Sequence, residues 1–151
     1  MAEKKNAISY ESIMKDLKAR KFAPVYVLMG DEPFYIDKIC DYIAENVLQP
    51  EERDFNQTVL FGADTTAVQV VDQCKGYPMM AEFRVVIVKE AQNLKSLDAL
   101  EKYLEKPVKS TVLVICNKNG SIDRRKKFIP RAEQVGVVFE SKKLYDRQLP
   151  G

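Results

Sequence analysis

The residues with the clearest potential for chemistry follow Gly30, where the apolar run PVYVLM passes into a segment with helical periodicity. At such a strand-to-helix junction, a loop of the form GxxxxGK[ST] binds nucleoside triphosphates. Its second glycine lets the backbone approach the phosphates, its lysine contacts the β- and γ-phosphates, and its hydroxyl group holds magnesium. In this sequence those three positions hold Tyr35, Ile36 and Asp37. The sequence therefore predicts a degenerate phosphate loop that binds neither nucleotide nor magnesium, and no cofactor is expected.

The charges around this junction also oppose phosphate binding. Asp31 and Glu32 directly follow the glycine and would repel a triphosphate. A magnesium-binding strand end carries an acidic pair after four hydrophobic residues, whereas VVIV is followed here by Lys89 and Glu90, and lysine cannot ligate magnesium. One enzymatic alternative stays open, in which Asp31, Glu32 and Glu90 form a metal and phosphate site like that of a receiver domain. It is disfavoured because Lys89 stands where that chemistry needs an aspartate.

The composition gives little support to catalysis. The chain has no histidine, which is the commonest general base near neutral pH. Its three cysteines, Cys40, Cys74 and Cys116, are far apart and lie in apolar patterns, which predicts buried thiols. Without histidines or paired cysteines, no metal site is expected. The net charge of +2 does not by itself predict a polyanionic partner. We expect a domain that binds other macromolecules and has no catalytic activity of its own.

The elements that must position these residues alternate along the chain. A length of 151 residues fits one domain. Nearly continuous apolar runs predict strands buried on both faces, and segments of helical periodicity separate them. This alternation implies a three-layer α/β/α domain with a mainly parallel five-stranded sheet. The predicted strands are residues 24–29, 55–61, 84–89, 111–116 and 137–140. No apolar run reaches the roughly 18 residues that cross a bilayer, and the first residues lack a signal peptide's apolar core, so we expect a cytoplasmic protein.

Several helix positions follow from caps and periodicity. Ser9 is predicted to cap a first helix over residues 7–19. Thr65 is predicted to cap a helix that turns Val68 towards the core. Pro130 is predicted to break the segment before the last strand.

An apolar loop, GYPMMAEF at residues 76–83, has neither helical nor strand periodicity. It lies between a helix end and a buried strand. One interpretation is that Tyr77, Met79, Met80 and Phe83 cover the end of the sheet, because apolar loops usually pack. The other is that the tyrosine and the two methionines form an exposed, adaptable anchor for a partner protein. We assign Phe83 to the core.

A basic cluster lies in residues 118–131, where six basic residues accompany one acidic residue. Such a face can contact DNA phosphates, and a nucleic-acid-binding domain acting through this cluster alone is an alternative function. The opposing interpretation is a solvated helix surface, since only Phe128 lies among the charges to stack on a base. The candidate DNA contacts are Arg124, Arg125, Lys126 and Lys127.

Three segments together resemble a known family: PVYVLMGDEPFYIDKI, GYPMMAEFRVVIVKEAQ and STVLVICNKNGSIDRRKKF. In order and spacing they are similar to the N-terminal domain of the delta subunit of the bacterial DNA polymerase III clamp loader. The similarity covers residues 24–140. It implies an AAA+ type, P-loop-NTPase-like fold without ATP hydrolysis, a role in opening the ring-shaped sliding clamp during DNA replication, and membership of a nucleotidyltransferase complex.

The resemblance also implies a site and partners. In the family, hydrophobic residues just before the third strand plug the clamp's protein-binding pocket, and these positions fall on Tyr77, Met79 and Met80. The two methionines replace a family preference for Leu-Phe. Family members continue into a lid domain and a helical collar domain that joins the other loader subunits. We accordingly expect residues 1–141 to be the clamp-binding domain and residues 142–151 to begin the connection to a lid domain. The expected partners are the clamp (beta subunit), the other loader subunits and, as a further candidate, DNA, with no membrane.

Overall fold

A single sheet of five parallel strands organises the computed structural model, which describes residues 9–123 and 125–142. The strand order is β2-β3-β4-β1-β5, and every neighbouring pair is parallel. This confirms the predicted sheet. The strands are β1 (Val25–Gly30), β2 (Gln57–Phe61), β3 (Arg84–Lys89), β4 (Thr111–Lys118) and β5 (Val137–Ser141).

Helices cover both faces of the sheet and form the two outer layers. Along β1, Tyr26 and Leu28 face one helical layer, while Val27 and Met29 face the other, as the two-residue repeat of a strand requires. The helices are α1 (Tyr10–Lys18), α2 (Pro33–Asn46), α3 (Pro50–Asn56), α4 (Ala67–Cys74), α5 (Asp98–Tyr103) and α6 (Phe128–Val135). The first two pack on one face, and α4, α5 and α6 on the other. Within the described ranges, none of these helices has the length and apolar character needed to span a bilayer.

The helix α3 is absent from the sequence prediction, which placed Phe55 and Asn56 in a strand. In the structure both residues end α3, and β2 begins one residue later. Local capping explains the helix: Pro50 occupies its first turn, and the Glu52 carboxylate accepts a hydrogen bond from the Gln49 N–H at 2.9 Å. The strand prediction for these two residues was wrong because FNQTVLF, residues 55–61, was assigned to one strand as a whole, although its first two residues end the capped helix.

The cap and the buried face of α4 also differ from the prediction. The N-cap is Thr66 and not Thr65, since the Thr66 hydroxyl accepts the Gln69 N–H at 3.2 Å. The face that packs on the sheet is also displaced from the predicted one. Val68 is 60% exposed. The buried residues of α4 are Ala67, Val70 and Cys74.

The other two helix predictions have mixed outcomes. Ser9 caps α1 as expected, because its hydroxyl accepts the Ser12 N–H at 3.1 Å. Residues 7 and 8 lie outside the described part. Pro130 does not break the basic segment: it is the third residue of α6, within the first turn, where its missing N–H has no helical partner to lose.

The three cysteines are free and buried, as predicted. Cys74 is fully buried between α4 and the sheet, and burial raises the pKa of its thiol to about 12. These thiols serve as small hydrophobic side chains in the core.

Because all strands run in the same direction, the sheet has two distinct edges. At the carboxyl edge, the strands β1, β3 and β4 end at Gly30, Lys89 and Lys118. At the amino edge, α3 leads into β2, and the 76–83 loop leads into β3. The degenerate phosphate loop and the apolar loop therefore lie at opposite ends of the sheet.

Candidate functional site

The phosphate-loop position is too short to enclose phosphates. Only Asp31 and Glu32 separate the end of β1 from the start of α2. Tyr35, Ile36 and Asp37 consequently lie within the helix and not in a loop. Ile36 is fully buried on the inner face of α2. The position that the lysine takes in a P-loop is therefore part of the core here.

The backbone groups at this junction are bonded to the protein itself. The Gly30 N–H donates to the Gly120 carbonyl at 2.8 Å, and the Glu32 N–H donates to the Ser141 carbonyl at 3.2 Å. The Glu32 carboxylate accepts the Phe34 N–H at 3.0 Å and so occupies the helix N-terminus, where a phosphate would bind. Gly30 has a φ of +126°, and a Cβ there would collide with the Ser141 carbonyl. This glycine therefore permits close approach of β5.

An ion pair occupies the place of the magnesium-binding hydroxyl. The Asp37 carboxylate lies 2.6 Å from the Lys118 ammonium at the end of β4. The hydrogen bond from this ammonium to Asp37 raises the pKa of Lys118. Lys118 is therefore paired with the residue at the phosphate-loop position, and five of the six residues of the basic cluster remain as candidates for DNA contact.

The receiver-like alternative is not supported by the geometry. Across residues 9–123 and 125–142, no three acidic or cysteine side chains lie close enough together to hold a metal ion. Asp31, Glu32 and Glu90 are all described, and they do not form such a group. Lys89 also lines the small cavity at this edge.

At the amino edge, the 76–83 loop exposes its large apolar side chains. Tyr77 is 83% exposed, Met79 is 59% exposed and Met80 is 99% exposed. They do not cover the sheet end. Phe83 is half-buried at the margin of the core, where its ring meets Phe22 edge to face at a centroid distance of 5.3 Å. Of the four apolar side chains, only Phe83 therefore packs.

A buried asparagine fixes the backbone of this loop. Asn56, at the end of α3, has no exposed surface. Its side-chain carbonyl accepts the Met79 N–H at 2.6 Å, and its amide donates to the Met79 carbonyl at 2.9 Å and to the Glu52 carbonyl at 3.0 Å. The next residue, Met80, has a φ of +56°, a left-handed conformation that costs a residue with a Cβ about 1 kcal/mol. The loop is thus held in a defined, slightly strained form.

Arg84 links the segments beneath the loop. Its guanidinium donates to the Gln73 carbonyl and to the Gln73 side chain, each at 2.7 Å. It also donates to the Phe55 carbonyl at 3.4 Å. Since Arg84 begins β3, this side chain joins α4, the end of α3 and the strand that follows the loop.

Sequence reasoning missed Phe55 and Asn56 as parts of this edge. Phe55 is 67% exposed. It lies close to the loop because the next residue, Asn56, bonds the backbone of Met79. The capping pattern at Gln49, Pro50 and Glu52 could have revealed α3. No pattern in the neighbouring sequence, however, indicates that the Asn56 side chain bonds the backbone of Met79.

The basic cluster is a weaker candidate in the structure than in the sequence. Arg124 lies outside the described residues. Arg125 pairs with Asp123 at 3.0 Å, and Arg131 pairs with Glu105 at 2.6 Å, while Lys126 and Lys127 are exposed. Phe128 is 1% exposed, so it offers no ring to a base.

The five parallel strands with helices on both faces define a class, an α/β domain with an AAA+-like fold, and the phosphate-loop positions of this chain hold Tyr35, Ile36 and Asp37. A DNA polymerase III gamma-subunit-related protein from Thermotoga maritima shares the fold with a TM-score of 0.53 and 15% identity, over 93% of this chain and 47% of that one. RuvB from Thermotoga maritima, solved as a point mutant, gives a TM-score of 0.54 and 16% identity, over 93% of this chain and 48% of that one. These two similarities concern the fold alone.

The chain belongs to the DNA polymerase III delta subunit family, whose family model matches residues 26–142. DNA polymerase III subunit delta of Bacillus subtilis (strain 168) is 29% identical over 142 residues, covering 87% of this chain and 41% of that protein. The solved Bacillus subtilis DNA clamp loader delta protein has a TM-score of 0.80 and 27% identity, over 90% of this chain and 43% of that one. The chain thus spans about two fifths of the length of these relatives, and the resemblance seen in the sequence is confirmed.

Proposed function

We propose that this domain binds the sliding clamp through the 76–83 loop and helps to open the ring during DNA replication, without hydrolysing ATP. The observation that carries the proposal is the almost complete exposure of Met80 and Tyr77 on a loop with a fixed backbone, in a chain of this family. Monomeric proteins seldom expose apolar clusters unless a partner covers them.

Two methionines can supply the binding energy. Each exposed thioether side chain that leaves water contributes roughly 1.5 to 3 kcal/mol. Methionine is flexible and polarisable, so Met79 and Met80 can adapt to an apolar pocket without a rigid ring. Tyr77 adds aromatic area beside them. The fixed backbone lowers the ordering cost of binding, because only side chains must be immobilised.

In the larger assembly, this domain is one part of a clamp-loader subunit. Residues 1–141 act as the clamp-binding unit, and residues 142–151 begin a connection to a lid domain. Further C-terminal domains join the other loader subunits. This work takes place in the cytoplasm. The domain itself contributes binding and no catalytic step.

The test is the affinity of the purified domain for the purified sliding clamp of the same organism, measured by calorimetry. Replacing Met79 and Met80 together by alanine should weaken binding by at least about 2 kcal/mol, or about thirtyfold. The thermal midpoint should stay nearly constant because both side chains are exposed. Val68→Ala, which truncates an exposed apolar residue of α4, is the control and should bind normally.

Two outcomes would contradict the proposal. A wild-type domain that does not bind the clamp removes the function. A stable double-alanine variant that binds as well as the wild type removes the site. If the methionines were core residues, the same variant would lose several kcal/mol of folding stability.

A further inference from the structure

We propose that Phe55 is an additional contact with the clamp, so that the binding surface is made of two chain segments: the end of α3 and the 76–83 loop. This inference rests on the proposed function. It adds a residue that lies more than twenty positions before the loop in the sequence.

Phe55 is exposed in an unusual setting. Its side chain is 67% exposed, while the next residue, Asn56, is fully buried. The remaining residues of α3 are mainly charged, with Glu51, Glu52, Arg53 and Asp54 in succession. A single exposed aromatic residue is common on protein surfaces and by itself indicates nothing. Its position relative to the loop gives it meaning.

The fold places Phe55 beside the loop. The strands β2 and β3 are parallel neighbours in the sheet, with Gln57 opposite Val85. Phe55 lies two residues before the start of β2, and Met80 lies four residues before the start of β3. Both segments therefore lie at the amino edge, directly before two neighbouring strands.

Hydrogen bonds hold the two segments in a fixed relation. Asn56 bonds both backbone groups of Met79, and Arg84 bonds the Phe55 carbonyl. Neither segment can move away without breaking these hydrogen bonds, and the buried Asn56 side chain would then be left without its partners. The backbones of Phe55 and of the loop are consequently held in a fixed relation to each other.

The chemistry of the exposed side chains is complementary. The two methionines supply adaptable apolar volume, whereas a phenylalanine supplies a rigid ring that loses little conformational freedom on binding. Tyrosine, tryptophan and phenylalanine are enriched at the cores of protein interfaces. The fitting surface on the ring protein is therefore apolar where it meets both segments.

A matched pair of phenylalanine substitutions tests this inference. Phe55→Ala should weaken clamp binding by about tenfold. Phe34→Ala removes an equally apolar side chain that is 54% exposed at the opposite edge of the sheet, and its affinity should stay within about twofold of the wild type. Both variants should keep the thermal midpoint of the wild type. Phe55→Trp, which keeps a ring, should retain the affinity.

The measured affinities distinguish the role of Phe55 from the proposed clamp binding of the domain. If the wild type binds the clamp and Phe55→Ala binds equally well, Phe55 is not a contact, while the proposed function stands. If the wild type does not bind, both proposals fall. An equal loss in the Phe34→Ala control also overturns the inference. Should Phe55→Ala unfold, Phe55→Gln keeps side-chain bulk on this charged helix without the apolar ring, and full affinity in that variant overturns the inference.

Discussion

The side-chain amide of Asn56 bonds the backbone of Met79 at both its N–H and its carbonyl, at 2.6 and 2.9 Å. This pairing imitates a β-bridge with a side chain and fixes the loop next to α3. Because Asn56 is fully buried, its side chain relies on these protein groups for its hydrogen bonds.

Replacing Asn56 by alanine should therefore affect folding and binding together. The free energy of unfolding should fall by about 2 kcal/mol, because Met79 loses both hydrogen bonds to a buried side chain. Clamp affinity should also fall, by about fivefold to tenfold, since the loop then pays an ordering cost on binding. Urea unfolding and calorimetry measure the two quantities.

Two further variants sharpen this prediction. Asn56→Asp should be at least as unstable as the alanine variant, since a carboxylate would face the Met79 and Glu52 carbonyls without a proton to donate. Asn46→Ala is the control, because the Asn46 amide donates an exposed bond to the Tyr42 carbonyl in its own helix. An Asn56→Ala domain with unchanged stability would contradict the importance of the pairing.

Met80 should show different effects on stability and on binding. Its φ of +56° suits glycine. The free energy of unfolding of Met80→Gly should therefore equal that of Met80→Ala or exceed it by up to about 1 kcal/mol. Both variants should lose the same clamp affinity, because both lack the thioether side chain. Thermal unfolding and calorimetry on the pair decide the matter, and a glycine variant clearly less stable than alanine argues against backbone strain.

Mg-ATP should neither bind to the domain nor stabilise it. The junction after Gly30 is two residues long, Glu32 occupies the helix N-terminus, and Lys118 neutralises Asp37. Calorimetry with magnesium and ATP should detect no binding, and the thermal midpoint should not rise in millimolar nucleotide. A dissociation constant in the micromolar range would overturn this prediction.

Neutralising the basic segment should leave clamp binding nearly intact. The variant replaces Arg124, Arg125, Lys126 and Lys127 by glutamine. Charges outside the contact mainly change association rates and salt dependence. The affinity at physiological salt should change by less than about tenfold. A larger loss would place this segment at the interface. Binding of the wild-type domain to DNA that falls steeply with salt would instead support the nucleic-acid alternative.

The sequence predicted the sheet because buried parallel strands leave continuous apolar runs, as in VVIV before Lys89. It also predicted the buried stripe of α2, with Ile36 and Ile39, since helical spacing is a local signal. The bonds from Asn56 to Met79 join residues 23 positions apart and leave no periodic trace. The burial of Phe128 likewise depends on how α6 packs, which its charged neighbours conceal.

The interior location of every cysteine makes this domain well suited to fluorescence work. Cys40, Cys74 and Cys116 are at most 3% exposed, and the chain has no tryptophan. A maleimide dye should therefore react slowly with the native thiols, Cys74 above all, since its thiol stays protonated at the usual labelling pH. Val68→Cys would introduce a thiol at an exposed position of α4, outside the proposed contact surface. A donor fluorophore attached there, with an acceptor on the ring protein, would report the separation of the two proteins in real time.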